Sequence, residues 1–236
     1  AADEREHSNQ LGLQVPQAHG ADQLLGQQRG ELRLSRGVLC GGARVAQPRG
    51  AQAAPLRELR ARGECADFCA TGQTGVLISG KGFAIDSVIS DFISGAAEQL
   101  SPANDPDHWD IVEGQGSIFH PAYAGVSLGL LHGSQPEAIV LCHEAGRARL
   151  GFFEDFPTPD LRLAIDRHLE AARLTSPDVR CAGVSLNTSR LGEAEAISLC
   201  RDLTQELSLP VTDPIRIGPG PIVDRLLSTP ARTLAQ

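Results

Sequence analysis

Several things are scarce in this chain of 236 residues. Methionine is absent, so the chain as it stands does not open on an initiator residue. No run of eighteen apolar residues occurs, which excludes a membrane-spanning helix. The first ten residues, AADEREHSNQ, are charged and polar and do not form a signal peptide, so a cytoplasmic location is expected. Positive charge is limited: 21 Lys and Arg stand against 29 Asp and Glu, for a net charge of −8 and a pI near 5.3. That balance argues against a nucleic-acid scaffold and leaves a small molecule as the expected partner. The six cysteines, at 40, 65, 69, 142, 181 and 200, are too few for a disulfide scaffold. None forms a Cys-x-x-Cys pair, so a zinc knuckle or thioredoxin-like site is unsupported and reduced thiols are expected. What is present suits one large domain, or a domain with an appendage: 41% of residues are hydrophobic, enough for a core.

Composition changes near residue 66. Before it there is no Phe, Trp, Tyr, Ile, Thr, Met or Lys, while Gln occurs eight times and Arg nine. Those arginines outnumber the seven acids of the segment, so the net negative charge belongs to the rest. Three valines are its only β-branched residues, and such a stretch buries little per residue. Residues 1–62 therefore read as an atypical, low-complexity segment. A disordered tail, a weakly packed helical appendage and a stretch translated out of frame all remain open, since out-of-frame GC-rich DNA encodes Ala, Arg, Gly, Pro and Gln. Residues 63–230 read as the ordered domain.

There, strand and helix patterns alternate. Strands are expected at 64–70, 109–112, 138–142, 181–186 and 209–212. Helices are expected at 87–100, capped by Asp86, and at 123–131, 159–174, 193–207 and 221–227. The apolar run Ala138–Cys142 suits a strand buried on both faces. Strand and helix in alternation imply an α/β fold with a mostly parallel sheet and helices on both faces. A homo-oligomer is open, because such a sheet has edges.

In such sheets ligands bind at the carboxyl ends of the strands. Four polar loops fall there, at 71–75, 113–117, 143–147 and 187–190. Thr71-Gly72-Gln73-Thr74-Gly75 offers hydroxyls, an amide and backbone N–H groups for an anion. Glu113 ends a buried strand and precedes Gly114-Gln115-Gly116; a carboxylate there can hold Mg²⁺ or accept a proton, and the glycines let a ligand approach. His120 and His143 are candidate bases near neutral pH, although no histidine pair has metal-ligand spacing. Arg147 is a candidate clamp for a substrate carboxylate, with a plain surface arginine as the alternative. Gly75-Val-Leu-Ile-Ser-Gly80-Lys81 copies most of a phosphate-binding string, but Gly82 replaces the required Ser or Thr and the interior is apolar. It does not read as a phosphate loop.

Four stretches resemble one family: ATGQTGVLISGKG (70–82), IVEGQGSIFHPAYAGVSLGLLHGSQPEAIVLCHEAGR (111–147), GVSLNTSRL (183–191) and DPIRIGPGPIVDRL (213–226). From about Arg62 to Leu227 the chain resembles the carboxyl-terminal domain of the D-glutamate N-acetyltransferase-like family, long catalogued as a domain of unknown function. The resemblance implies a P-loop NTPase-like fold similar to dethiobiotin synthetase. By that analogy Glu113 takes the metal or base position, Asn187 a purine contact, and Asp86 a carboxylate near phosphates. It also implies acetyl transfer from acetyl-CoA to the amine of D-glutamate, in D-amino-acid catabolism. The family's glycine-rich phosphate loop has no counterpart here, where Leu39-Cys40-Gly41-Gly42-Ala43-Arg44-Val45 stand instead.

The leading expectation is an N-acetyltransferase for an acidic D-amino acid, with acetyl-CoA as co-substrate, Mg²⁺ open, and activity in doubt without the loop. Glu113 or His120 would take the proton, Gly114 and Gly116 would face the oxyanion, and Arg147 with Thr71 or Thr74 would hold carboxylates. An ATP- and Mg²⁺-dependent ligase or kinase and a catalytically dead binding module are the alternatives.

Overall fold

Continuous apolar runs such as Ala138–Cys142 can be satisfied only between two covering layers, and that is how the chain folds. A computed structural model describes residues 36–42, 53–151 and 153–228. All belong to the larger of two units, Arg33–Gln236. Its strands in chain order are β1 (Arg36–Gly42), β2 (Ala66–Cys69), β3 (Trp109–Glu113) and β4 (Ala138–Glu144). After them come β5 (Arg149–Leu150), β6 (Phe153–Pro157), β7 (Arg180–Asn187) and β8 (Val211–Thr212). The helices are α1 (Ala54–Ala61), α2 (Gln73–Ser79), α3 (Ile93–Leu100), α4 (Ala124–Ser134), α5 (Leu161–Ala172), α6 (Glu193–Leu207) and α7 (Gly220–Leu227). Six strands form one parallel sheet in the order β2-β3-β1-β4-β7-β8, and β5 pairs with β6 antiparallel beside it.

Period-two alternation divides the core between the two faces. Ile111, Val38 and Val140 pack with Leu59 of α1 and with Ile222 and Leu226 of α7. Their chain neighbours Val112 and Leu141 turn the other way, toward Leu130 of α4, Ile165 of α5 and Cys200 of α6. Helix α5 begins where Asp160 accepts the Leu163 N–H at 2.8 Å. Helices α3 and α4 meet through glycine: a Cβ at Gly133 would lie 2.3 Å from the Ser94 carbonyl oxygen. Among the described side chains Cys65, Cys69, Cys142, Cys181 and Cys200 are free thiols. No helix among the described residues is long and apolar enough to cross a membrane.

Several features differ from the sequence-based expectation. Arg36–Gly42, within the segment expected to contribute little, is the strand between β3 and β4. Only two bulky apolar residues, Val38 and Leu39, marked it, and its partners lie far along the chain. The expectations for residues 1–35 and 43–52, including Ala43, Arg44 and Val45, fall outside the described residues. Of Thr71–Gly75, expected as a loop, Gln73, Thr74 and Gly75 already belong to α2 and Gly72 is its N-cap. Asp86 caps no helix: it is exposed within a 3₁₀ turn, a second such turn covers Ser90–Phe92, and α3 starts only at Ile93. Ile89 and Phe92, apolar residues within the helix expected at 87–100, are exposed.

Candidate functional site

The four polar loops do follow the carboxyl ends of parallel strands, but they gather into two clusters with β1 between them. In the first, Glu113 at the end of β3 turns toward the start of α2. Its Oε2 accepts the N–H groups of Thr71 and Gly72, each at 3.0 Å. A carboxylate at these amides complements the positive end of a helix. The buried Thr71 donates its hydroxyl to the Glu113 carbonyl at 2.6 Å and accepts from Gln115 Nε2 at 2.7 Å. Gly75 is required by this approach, since a Cβ there would stand 2.2 Å from Glu113 Oε2. Gln73 and Thr74 are exposed in the first turn of α2. Ser127 of α4 fixes the following loop by donating to the Gly116 carbonyl at 2.7 Å.

The second cluster lies at the ends of β4 and β7. Glu144 is buried and pairs with Arg147 at 2.6 Å and with the exposed Arg190 at 3.0 Å. Arg147 is thereby committed to a carboxylate of its own chain, which weakens its reading as a substrate clamp. Asn187, buried beside them, accepts the Ser189 N–H at 3.0 Å, so its amide oxygen shapes a turn. His143 is half-buried; burial, and then the charge of Arg147, hold its imidazole below the usual range against the pull of Glu144. Next along the sheet, Asp213 accepts the Thr188 N–H at 3.0 Å and the Ile215 N–H at 2.8 Å. Burial pushes this carboxyl up, but the Thr188 hydroxyl and the backbone N–H groups outweigh it and hold it below the carboxylate range.

The remaining candidates separate. His120 is buried, its Nδ1 accepting the Ala122 N–H at 3.2 Å and its Nε2 lying 3.2 Å from the Gly151 carbonyl. An acceptor Nδ1 makes Nε2 the donor, so both nitrogens are engaged and His120 has no lone pair to offer as a base. Its ring lies tilted beside Tyr123, with centroids 4.5 Å apart, and edge to face with Phe153 at 4.9 Å. Lys81, the end of the phosphate-like string, pairs with Asp67 in β2 at 3.2 Å. The string itself is mostly helix α2, which accounts for its failure as a phosphate loop. Asp86 follows Ile85, whose N–H bonds the Thr71 carbonyl at 2.8 Å, but its own carboxylate is exposed. Mg²⁺ fits the donor set poorly. Glu113 directs Oε2 to two N–H donors, and no group of three His, Cys, Asp or Glu able to hold a metal occurs among the described residues.

One residue that lines a pocket beside the Gly114–Gly116 loop was not named from the sequence. The pocket is small and lies between that loop, α4, β4 and α5, and His168 lines it. The available signal was spacing: His168 follows Ile165 by three positions and precedes Ala172 by four, on the stripe that faces the core.

Comparison with known proteins agrees with this fold. A family model described as a domain of unknown function (DUF1611_C), P-loop domain, matches residues 50–223. A Pseudoalteromonas sp. protein named D-glutamate N-acetyltransferase is 52% identical over 160 residues, covering 68% of this chain and 48% of that protein. A protein of the same name from Tritonibacter scottomollicae is 46% identical over 169 residues, covering 72% and 51%. The chain thus spans about half the length of the curated relatives it matches. The crystal structure of a DUF1611 family protein from Anabaena variabilis, at 2.30 Å resolution, superposes with a TM-score of 0.76. Identity there is 34%, over 84% of this chain and 58% of the other.

Proposed function

The chain belongs to the DUF1611 carboxyl-terminal P-loop domain family, and from that premise we propose that it transfers an acetyl group from acetyl-CoA to the amine of D-glutamate or a similar acidic D-amino acid. The observation that carries the reading is the 52% identity, over most of the ordered domain, to a protein named for that reaction. The first cluster supplies chemistry suited to it. Glu113 is held in one orientation by the N–H groups of Thr71 and Gly72, while no hydrogen bond from the described residues reaches its Oε1. An oriented carboxylate can receive or position an ammonium group. The N–H groups of Gly114 and Gly116, on a loop fixed by Ser127, are the proposed donors to the oxyanion that develops on the thioester carbonyl. With Arg147 bound to Glu144, the exposed Gln73 and Thr74 are the better candidates for a substrate carboxylate.

Thiol release from acetyl-CoA, followed with and without D-glutamate and without nucleotide, tests the reading. Release that requires D-glutamate supports transfer. ADP formation from ATP without thiol release would support a ligase or kinase instead. Glu113→Gln is expected to lower turnover about 10²- to 10⁴-fold; turnover equal to wild type would remove Glu113 from the mechanism.

A further inference from the structure

Two arginines meet one buried carboxylate at the carboxyl edge of the sheet, and they meet it differently. Arg147 gives Glu144 both its Nε, at 2.8 Å, and an Nη amino group, at 2.6 Å, so its guanidinium is engaged within the chain. Arg190 reaches the other oxygen, Oε1, through Nε at 3.0 Å, and its side chain is 72% exposed. No described residue takes a hydrogen bond from its two Nη groups. One carboxylate facing two guanidinium groups leaves the trio with a surplus positive charge. The turn that carries Arg190 is itself held at several points. Asp213 accepts the Thr188 N–H at 3.0 Å and the Thr188 hydroxyl, and Asn187 Oδ1 accepts the Ser189 N–H at 3.0 Å. The Leu191 N–H bonds the Thr188 carbonyl at 2.9 Å, and Arg216 Nη2 donates to the Leu191 carbonyl at 3.0 Å. A planar donor fork, steered through Nε and mounted on a fixed turn, is preorganised for an oxyanion that accepts two bonds at once.

We propose that the Arg190 guanidinium, oriented by Glu144, binds a phosphate group of the acyl donor. The inference rests on the acetyl-transfer reading and gives the charged end of the donor its place. In that reading the reacting atoms lie at the Glu113–Gly116 loop. Glu144 ends β4, two strands from β3 in the sheet, so the ends of those strands stand about 10 Å apart. An acidic amino acid with its amine at the loop is too short to reach Arg190. The pantetheine arm of acetyl-CoA is long enough, and it separates the thioester from the phosphates that carry the donor's negative charge. A guanidinium also suits phosphate better than an ammonium does, because its fork matches two oxygens.

Arg190→Gln tests the assignment on the whole chain, with acetyl-CoA and the phosphate-free acetyl-pantetheine as alternative donors. Arg147 still pairs with Glu144 in this variant, so the urea midpoint should not move. KM for acetyl-CoA is expected to rise about 10- to 100-fold while kcat stays within threefold. KM for D-glutamate and the kinetics with acetyl-pantetheine should be unchanged. Calorimetry with CoA alone should show Kd raised by the same factor, and Arg190→Lys, which keeps the charge without the fork, should restore part of it. Unchanged KM and Kd for the CoA compounds overturn the proposal and leave acetyl transfer standing. A rise in KM for D-glutamate instead gives Arg190 to the acceptor and overturns it equally. If wild type releases no thiol, acetyl transfer by this chain fails and calorimetry decides the subsite. CoA binding that Arg190→Gln weakens supports it; no binding, or binding that the variant leaves unchanged, overturns it.

Discussion

Gly75→Ala isolates the contact on which the first cluster depends. The added methyl would lie 2.2 Å from Glu113 Oε2 and 2.9 Å from its carboxyl carbon. Relief requires the carboxylate to retreat by about 1 Å, enough to take its bonds to the Thr71 and Gly72 N–H groups outside the range of about 2.7–3.2 Å for N–H···O bonds. Each bond to a charged group is worth about 1.5–3 kcal/mol. The gain from replacing a helical glycine by alanine, about 1 kcal/mol, offsets part of this. A net loss of about 2–5 kcal/mol is expected, read as a shift in the urea midpoint. Gly125→Ala in α4 is the control: nothing lies within 4 Å of its Cβ position, so it should be neutral or stabilising by up to about 1 kcal/mol. The interaction is confirmed by a double-mutant cycle, because in a Glu113→Ala background Gly75→Ala should cost almost nothing. Equal stability of Gly75→Ala and Gly125→Ala, or full additivity with Glu113→Ala, would refute the close approach.

Other outcomes can be checked by thermal or urea unfolding. Thr71→Val removes a buried hydroxyl that donates to one group and accepts from another, and should cost about 1–3 kcal/mol. Gly133→Ala, whose methyl would meet the Ser94 carbonyl oxygen at 2.3 Å, should lower Tm, whereas Gly125→Ala should not. Asp213 has a folded-state pKa below its unfolded value, so its contribution is present above the unfolded pKa of about 4 and lost as pH falls through the folded one. Wild type should therefore lose stability more steeply than Asp213→Asn below pH of about 4. Equal slopes would show that the Thr188, Ile215 and Arg216 bonds do not depend on the charge.

Much of the fold was legible because its signals are local. Residues 193–207 carry a regular amphipathic pattern and form α6 with those bounds, and the apolar runs at 138–142 and 181–186 lie within β4 and β7. Helix α2 was missed because its first turn, with two threonines and two glycines between 71 and 75, follows turn chemistry. Its start is stabilised by a carboxylate from β3, more than forty residues away along the chain. The β5–β6 pair was missed as well, being two short strands joined by a tight connection. Glu113, Thr71, Gly72, Gln115 and Gly75 were named and do converge. His120 and Arg147 were also named; the Gly151 partner of His120 depends on tertiary placement, whereas Glu144 lies only three residues before Arg147 and its spacing already offered that pair. His168 sits on the buried stripe of α5, where its spacing is that of a core histidine.

The central claim is tested most directly by following the acetyl group itself. With ¹³C-labelled acetyl-CoA and D-glutamate, and no nucleotide, mass spectrometry should find labelled N-acetyl-D-glutamate in proportion to the thiol released. ADP formed from added ATP, with no labelled amide, would contradict the account.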